Sequence, residues 1–459
     1  MGNFTYIIKA INIVFEQNDW GIKMFSIKEE KKHIKIMLGI MCSLYFIICI
    51  YSIFKYRNST LLGSLTKPNN DDVKFIRSAW ILKDTGKYVY HNTSNSTVFM
   101  MPGLSFTLAF FVKVFGKYGG ITALRVFQAV TQTVSLYLIF LISRKIFNSK
   151  VGIVAVLISC LSIAEYYVPN LILTECIFKF FTLLLVYFSI YAIEEKETKY
   201  YIFGGISFGF ATLFRPAIAT FPIVILVMWL IYKYKFKEML KYGAIVAGIF
   251  CLMLSPWWIR NYYDFHRFIP LTLATGNPML QGTFINYDQS SKATDGLNYN
   301  KYPYPSKPSE IGNNKTEMNI AKYRIRELMP KEPMKYLRWY TIGKTNEHIK
   351  NPFFWKDGFL GISTWRAKQI HSLTWKLFLV GVLAYCVNKK RNRLGTCMLC
   401  TIIYFVIAYL PFMGMARYFY PSMPYVTIFA AVGVVFLYEM IRALGSYLYL
   451  SFYKPYSKS

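Results

Sequence analysis

Long apolar runs separated by short basic connections dominate the chain. Runs long enough to cross a bilayer, at roughly 20 residues per crossing, fall at 35–54, 121–142, 151–168, 171–193, 200–214, 216–233, 241–258, 372–388, 396–412 and 424–443. Each predicts a helix, because lipid leaves an unpaired backbone no partner. One more apolar run, Val98 to Gly116, has Pro102 and Gly103 near its start and Lys113 near its end.

Whether that run crosses sets the orientation of everything after it. Basic connections occur at Arg144, Lys145 and Lys150, at Lys233, Lys235, Lys237 and Lys241, and at Lys389, Lys390, Arg391 and Arg393. If 98–116 lies flat on the outer leaflet as an interfacial helix, all of them share the cytoplasmic side with the N-terminus, as the positive-inside rule requires. Lys55 and Arg57, just past the first run, count the other way. The expectation is an all-α polytopic membrane protein with about ten transmembrane helices, external juxtamembrane helices and both termini inside. Its parts are a cytoplasmic segment 1–34 with no cleavable leader, a transmembrane module 35–258 with an external loop 55–120, an external loop or lid 259–371, and C-terminal helices with a short cytoplasmic tail, 372–459. The 259–371 region is too long for a simple connector. Pro303, Pro305, Pro308, Pro330 and Pro333 interrupt it, and it predicts a partly ordered domain with a helix near Thr316–Leu328.

Composition supports the membrane class. The 459 residues are 54% hydrophobic and 18% aromatic, with only 17% charged. A net charge of +30 invites nucleic acid, yet the cations cluster between apolar runs, where cytoplasm and anionic lipid face them. There is no zinc spacing, RNA-binding signature or continuous basic helix. The eight cysteines lie in or beside apolar segments and read as small buried hydrophobes, the Cys397/Cys400 pair included.

Candidate chemistry sits at the expected outer ends. Asp71 and Asp72, an acidic pair rare in so basic a chain, open an amphipathic helix marked by Val73, Ile76, Ala79 and Trp80. Simple helix capping is the ordinary explanation. Glu175 starts the fourth span, with Lys179 one turn deeper and placed for an intrahelical pair. Arg215 sits in Phe214-Arg215-Pro216, Arg260 follows Pro256-Trp257-Trp258-Ile259, and Arg417 lies in Ala416-Arg417-Tyr418. Arg125, Gln128 and Gln132 share one helix face. Each arginine alone is explained by snorkelling to the interface, and the aromatics near it by an ordinary interfacial belt. Together they predict an external site for an anionic, lipid-held ligand: arginines for a phosphate, and a carboxylate as base for an acceptor hydroxyl.

At these residues the chain resembles the GT-C superfamily of polyprenyl-phosphate-sugar-dependent membrane glycosyltransferases, nearest the protein O-mannosyltransferase and lipid A aminoarabinose transferase branch. The match runs through Asp71-Asp72-Val73-Lys74-Phe75, Gly86-Lys87-Tyr88, Phe115-Gly116, Arg125, Arg144-Lys145-Ile146-Phe147, Thr174-Glu175, Arg215-Pro216, Pro256-Trp257-Trp258-Ile259-Arg260-Asn261 and Arg417-Tyr418. It covers 35–285 well and the last spans loosely; the order of the motifs carries it. The resemblance implies that 35–258 is the catalytic module, that Asp71 is the base or acceptor-orienting carboxylate, and that Asp72 assists. It makes Arg215, Arg260 and Arg417 candidates for the donor phosphate, with Glu175, Arg125 and Lys74 shaping the site. Relatives often carry Lys or His before a double proline where this chain has Met101-Pro102-Gly103, so that phosphate contact is either missing or supplied elsewhere, for example by Lys74 or Lys113.

The implied partners are a polyprenyl-phosphate-sugar donor, membrane lipid and a glycan, teichoic-type polymer, lipid or protein acceptor. No cofactor is implied. Some superfamily members use a divalent ion, this branch acts without one, and Asp71-Asp72 lacks a third ligand. A lipid or polysaccharide transporter is the rival reading. It calls for broken helices, repeated halves and midplane charges, whereas only Lys179 is deep here and no repeat is detected. Heavy use of Lys, Ile, Asn and Tyr points to an AT-rich genome and so to a Gram-positive plasma membrane.

Overall fold

The computed structural model describes residues 24–307, 309–388 and 392–453. Positions 1–23 of the expected cytoplasmic start, Pro308, the basic residues Lys389, Lys390 and Arg391, and 454–459 of the tail lie outside the described residues.

Helix α1 (Lys32–Tyr56) buries a stripe of Ile34, Leu38, Tyr45, Cys49 and Ile53. Its other face exposes Ile36, Ile40, Leu44, Ile47 and Tyr51. A helix apolar all round belongs in lipid, not water. After α2 (Asp71–Thr85) comes α3 (Gly103–Ile146), which is broken at Gly116, where φ is 75° and ψ 173°. Only glycine adopts that geometry readily. A Cβ at Gly120 would stand 2.7 Å from the Val112 backbone, so the chain doubles back at the break. The 98–116 run therefore forms a separate arm, exposing Phe106, Phe110 and Val114 at helical spacing.

Helices α4 (Ser149–Leu161), α5 (Glu175–Glu195), α6 (Thr198–Phe214), α7 (Pro222–Ile231) and α8 (Phe236–Phe265) complete the first bundle. Then come α9 (Glu310–Leu328), α10 (Lys344–Ile349), α11 (Thr364–Val387), α12 (Arg393–Ile407), α13 (Ala416–Phe419) and α14 (Met423–Tyr453). Helices α11 and α14 pack at Gly381 and Gly433: a Cβ at Gly381 would clash with the Phe429 carbonyl, so two glycines set this close crossing.

Among the described residues six helices are long and apolar enough to cross a membrane, or seven if α4 and the segment 163–170, bent by 66°, make one span. The ten expected runs are largely helical, but α6, α7 with its lead-in turn, and α12 have 17 residues or fewer. Such helices reach about 25 Å at 1.5 Å per residue, short of a full hydrocarbon core. Helix α5 is the most enclosed span and the core packs around it. Ion pairs Lys145–Glu194 (2.7 Å) and Lys196–Glu238 (3.0 Å) gather the basic connections at one end of the bundle, opposite the starts of α2 and α5. The 259–371 region is more helical than expected, its main helix starting at Glu310.

Candidate active site

The two aspartates at the start of α2 separate by direction. Asp72 turns inward: its carboxylate accepts the backbone N–H groups of Leu62 (2.5 Å) and Val73 (2.8 Å) and is fully buried. Burial lifts its carboxyl above the ordinary value, against the pull of those N–H groups. Asp72 thus fixes the chain entering the helix, and its carboxylate points away from the one beside it.

Asp71 turns the other way. Its Oδ1 accepts the Tyr90 hydroxyl (2.8 Å) and its Oδ2 accepts Arg417 Nη1 (2.8 Å), with the side chain 31% exposed. Burial alone would raise this carboxyl, but Arg417 and then Tyr90 outweigh it and hold Asp71 below its ordinary value. Tyr90 is shifted up by burial and by the neighbouring carboxylate, so it stays a donor to Asp71. Arg77, two turns along α2, ties down the Tyr90 carbonyl (2.6 Å).

Arg417 forks. Its Nε donates to Glu175 Oε1 (2.5 Å), and the same oxygen receives Arg215 Nη2 (2.6 Å); Arg215 Nε donates to Thr174 Oγ1 (3.0 Å). Four elements distant in sequence thus converge as Asp71, Arg417, Glu175 and Arg215. A planar fork that reaches two carboxylates at once is a property of arginine, not lysine. The charges balance, so each guanidinium is already shared with an acid. Glu175 Oε2 and Arg215 Nη1 are buried with no hydrogen-bond partner, so the network keeps one acceptor and one donor unused.

The remaining expected residues go elsewhere. Arg260 donates to the carbonyls of Thr97 (2.6 Å) and Tyr88 (3.3 Å) and pairs with Asp264 (3.1 Å), so it secures the 88–97 loop rather than joining the other arginines. The rest of its motif is structural too: Trp257, Trp258 and Asn261 donate to the carbonyls of Leu271, Pro270 and Ile269. Arg125 donates to Asn170 (2.8 Å) and Gln128 to Pro169 and Leu171, so both shape the turn leading into Thr174-Glu175. Lys74 stands beside Asp71 on the wall of a cavity of about 880 Å³, its ammonium 5.7 Å from the Tyr90 ring centre.

Lys179 does not pair with Glu175. It meets Glu165 (2.5 Å) and the Tyr420 hydroxyl (3.0 Å), and Gln132 also donates to that hydroxyl (2.6 Å). Glu165 carries no signal in the sequence, and Tyr420, three residues after Arg417, reads there only as one of the aromatics of an interfacial belt. Farther out, residues 287–348 clasp the segment before Arg417. Tyr287 accepts the Gly414 N–H (2.5 Å) and Lys344 donates to the Leu410 carbonyl (2.7 Å). Burial lowers Lys344 to about 7.

No three His, Cys, Asp or Glu side chains among the described residues are arranged to hold a metal ion. Because Asp71 and Asp72 diverge, the acidic pair does not fit one, and no step is routed through it.

Residues 100–259 match the family model described as dolichyl-phosphate-mannose-protein mannosyltransferase. A search of curated protein sequences finds no significant match. Among solved structures, the Archaeoglobus fulgidus oligosaccharyltransferase in its apo form aligns over 92% of this chain and 53% of its own, at 14% identity and TM-score 0.56. The same organism's AglB, in complex with an inhibitory peptide and a dolichol-phosphate, aligns over 92% and 53% at 13% identity and TM-score 0.53. ArnT from Cupriavidus metallidurans, bound to undecaprenyl phosphate, aligns over 90% and 79% at 10% identity and TM-score 0.42. The chain spans about half the length of the archaeal enzymes it matches. By its architecture, then, the chain has the fold of the GT-C membrane glycosyltransferases.

Proposed function

We propose that the protein is a membrane glycosyltransferase that moves a sugar from a polyprenyl-phosphate-linked donor to a hydroxyl acceptor, on the external face of a bacterial plasma membrane. One observation carries this reading. Asp71, held ionised by Arg417 and Tyr90, is shared between the buried Glu175–Arg215 network and an open cavity large enough for substrate.

In the transfer, the acceptor oxygen attacks the anomeric carbon of the donor sugar. Asp71 takes the hydroxyl proton as the bond from that carbon to the donor phosphate oxygen breaks. The electron pair leaves on the phosphate, which stays on the lipid. Arg417 and Glu175 keep the Asp71 carboxylate aimed. We assign the donor phosphate to Lys74, whose ammonium forms no hydrogen bond among the described residues, and to the unshared Nη1 edge of Arg215. Three further points support the reading: the family match over 100–259, the dolichol-phosphate bound by the archaeal relative, and the gathering of basic connections at the end of the bundle away from Asp71.

The test uses protein purified into nanodiscs and a panel of radiolabelled polyprenyl-phosphate-sugars. Wild type should release the lipid phosphate and Asp71→Asn should not. Movement of lipid-linked sugar across vesicles without turnover of any donor would establish a transporter instead.

A further inference from the structure

The cavity beside Asp71 has a definite chemistry. It lies between the 87–99 segment on one side and α9 with Asn277 on the other, and its volume of about 880 Å³ is at the upper end for small-ligand sites, about 300–1,000 Å³. Its shape is fixed by Glu310 on α9, which accepts the Thr97 hydroxyl (2.8 Å), the Val98 N–H (3.2 Å) and a contact from His91 (3.2 Å). The two walls are therefore braced against each other before any ligand arrives.

Side-chain amides and carboxylates line this cavity with two aromatic rings, Phe99 and Phe265. The amides of Asn95 and Asn313 make no hydrogen bond among the described residues, and Asn277 leans on one oxygen of Glu317 (3.1 Å), leaving the other open. An amide both donates and accepts, as each hydroxyl of a sugar does, while an aromatic ring covers the apolar C–H face of a pyranose. On the wall made by α8 and α9 the backbone is already paired within helices, so that wall offers an extended peptide no strand edge. A lipid acceptor would want apolar walls. Carboxylates outnumber lysines on the lining, which repels an anionic polymer.

We infer that the cavity is the acceptor site and that it takes a neutral saccharide, whose attacking hydroxyl is delivered to Asp71 by contacts from Asn95, Asn313 and Glu317. This inference rests on the glycosyl-transfer reading above and names the acceptor class for the same site.

Binding and turnover are measured separately. Saturation-transfer NMR on the full chain in nanodiscs uses neutral tri- to pentasaccharides of glucose, galactose and N-acetylglucosamine, beside a pool of Ser/Thr peptides and a short-chain diacylglycerol. Saccharide signals should appear without donor. The Asn313→Ala, Glu317→Ala double variant should weaken them and raise acceptor KM about tenfold, two hydrogen bonds' worth, with kcat held within about twofold and the melting temperature unchanged. Retaining Asn313→Asp as the only change should restore part of the affinity. Saccharide binding without turnover of any donor would leave this site standing and sink the transferase reading. Donor turnover onto peptide or diacylglycerol with no saccharide signal, or an unchanged KM in the double variant, overturns the saccharide assignment.

Discussion

Two polar clusters inside the bundle use the same ingredients to different ends. In one, Arg417 joins Asp71 to Glu175 and Arg215. In the other, Lys179 meets Glu165, Tyr420 and Gln132. The second is sealed: the Lys179 side chain has no exposure and that of Glu165 only 7%. Both charges cancel within it, and the cavity that Glu165 and Tyr420 line is only about 30 Å³, one water's worth. Each cluster keeps buried atoms without partners, Glu175 Oε2 and Arg215 Nη1 in the first and Gln132 Oε1 in the second, but only the first has a member, Asp71, on the wall of the large cavity. Pairing charges in a low dielectric is therefore not what marks a reactive centre. What separates the two clusters is access: Asp71 faces the large cavity, and no member of the second cluster does.

The contrast is sharpest if Asp71 alone carries chemistry. Asp71→Asn, measured by donor turnover, should lose about a thousandfold, within the range expected for a general base, while the melting temperature holds. The sealed cluster should answer in stability instead. Lys179→Met strands a buried Glu165 and should cost about 3 kcal/mol by thermal unfolding, and a second change, Glu165→Leu, should recover most of it. A stable Lys179→Met with no activity would reverse the roles of the two clusters.

Arg417→Lys keeps a charge but loses the fork that reaches both Asp71 and Glu175. Turnover should fall about a hundredfold through misplacement of the base. Lys344 gives a smaller signal. Its pKa is lowered on folding to about 7, so between pH 7 and its unfolded value the unfolded chain binds more protons. Stability should rise by about 1–2 kcal/mol from pH 7 to 9, and Lys344→Met should flatten that rise. The smallest effect is an absence of change. Asp71 is depressed, so its ionised form and its pairing with Arg417 persist above its unfolded value and are lost only as pH falls through the folded one. Donor turnover should show no acid limb from Asp71 above about pH 4, and Arg417→Gln should move that limb upward.

Much of the frame could be read along the chain. Apolar runs of bilayer length force helices, and every expected run is largely helical, though 151–168 is broken in two and 216–233 begins with a 3-10 turn. The glycine at 116 was in view, although only its positive φ showed that 98–116 is an arm of its own. Asp71, Glu175, Arg215 and Arg417 were each legible as costly charges at helix ends, where a membrane protein rarely leaves them without purpose.

Partnership was not legible. Lys179 lies one turn from Glu175 yet bonds Glu165, and Arg260 sits in a motif like the others yet serves the 88–97 loop. Local spacing fixes which helix face a side chain occupies. Which acid a cation meets depends on how distant helices cross, and that is set by packing such as the Gly381–Gly433 contact, summed over the whole bundle. The sequence by itself determined the helices, their apolar surfaces and the charged residues at their ends. Tertiary structure alone decided which of those charges share a chamber, because a charge pair depends on distance in space and the chain specifies only distance along itself.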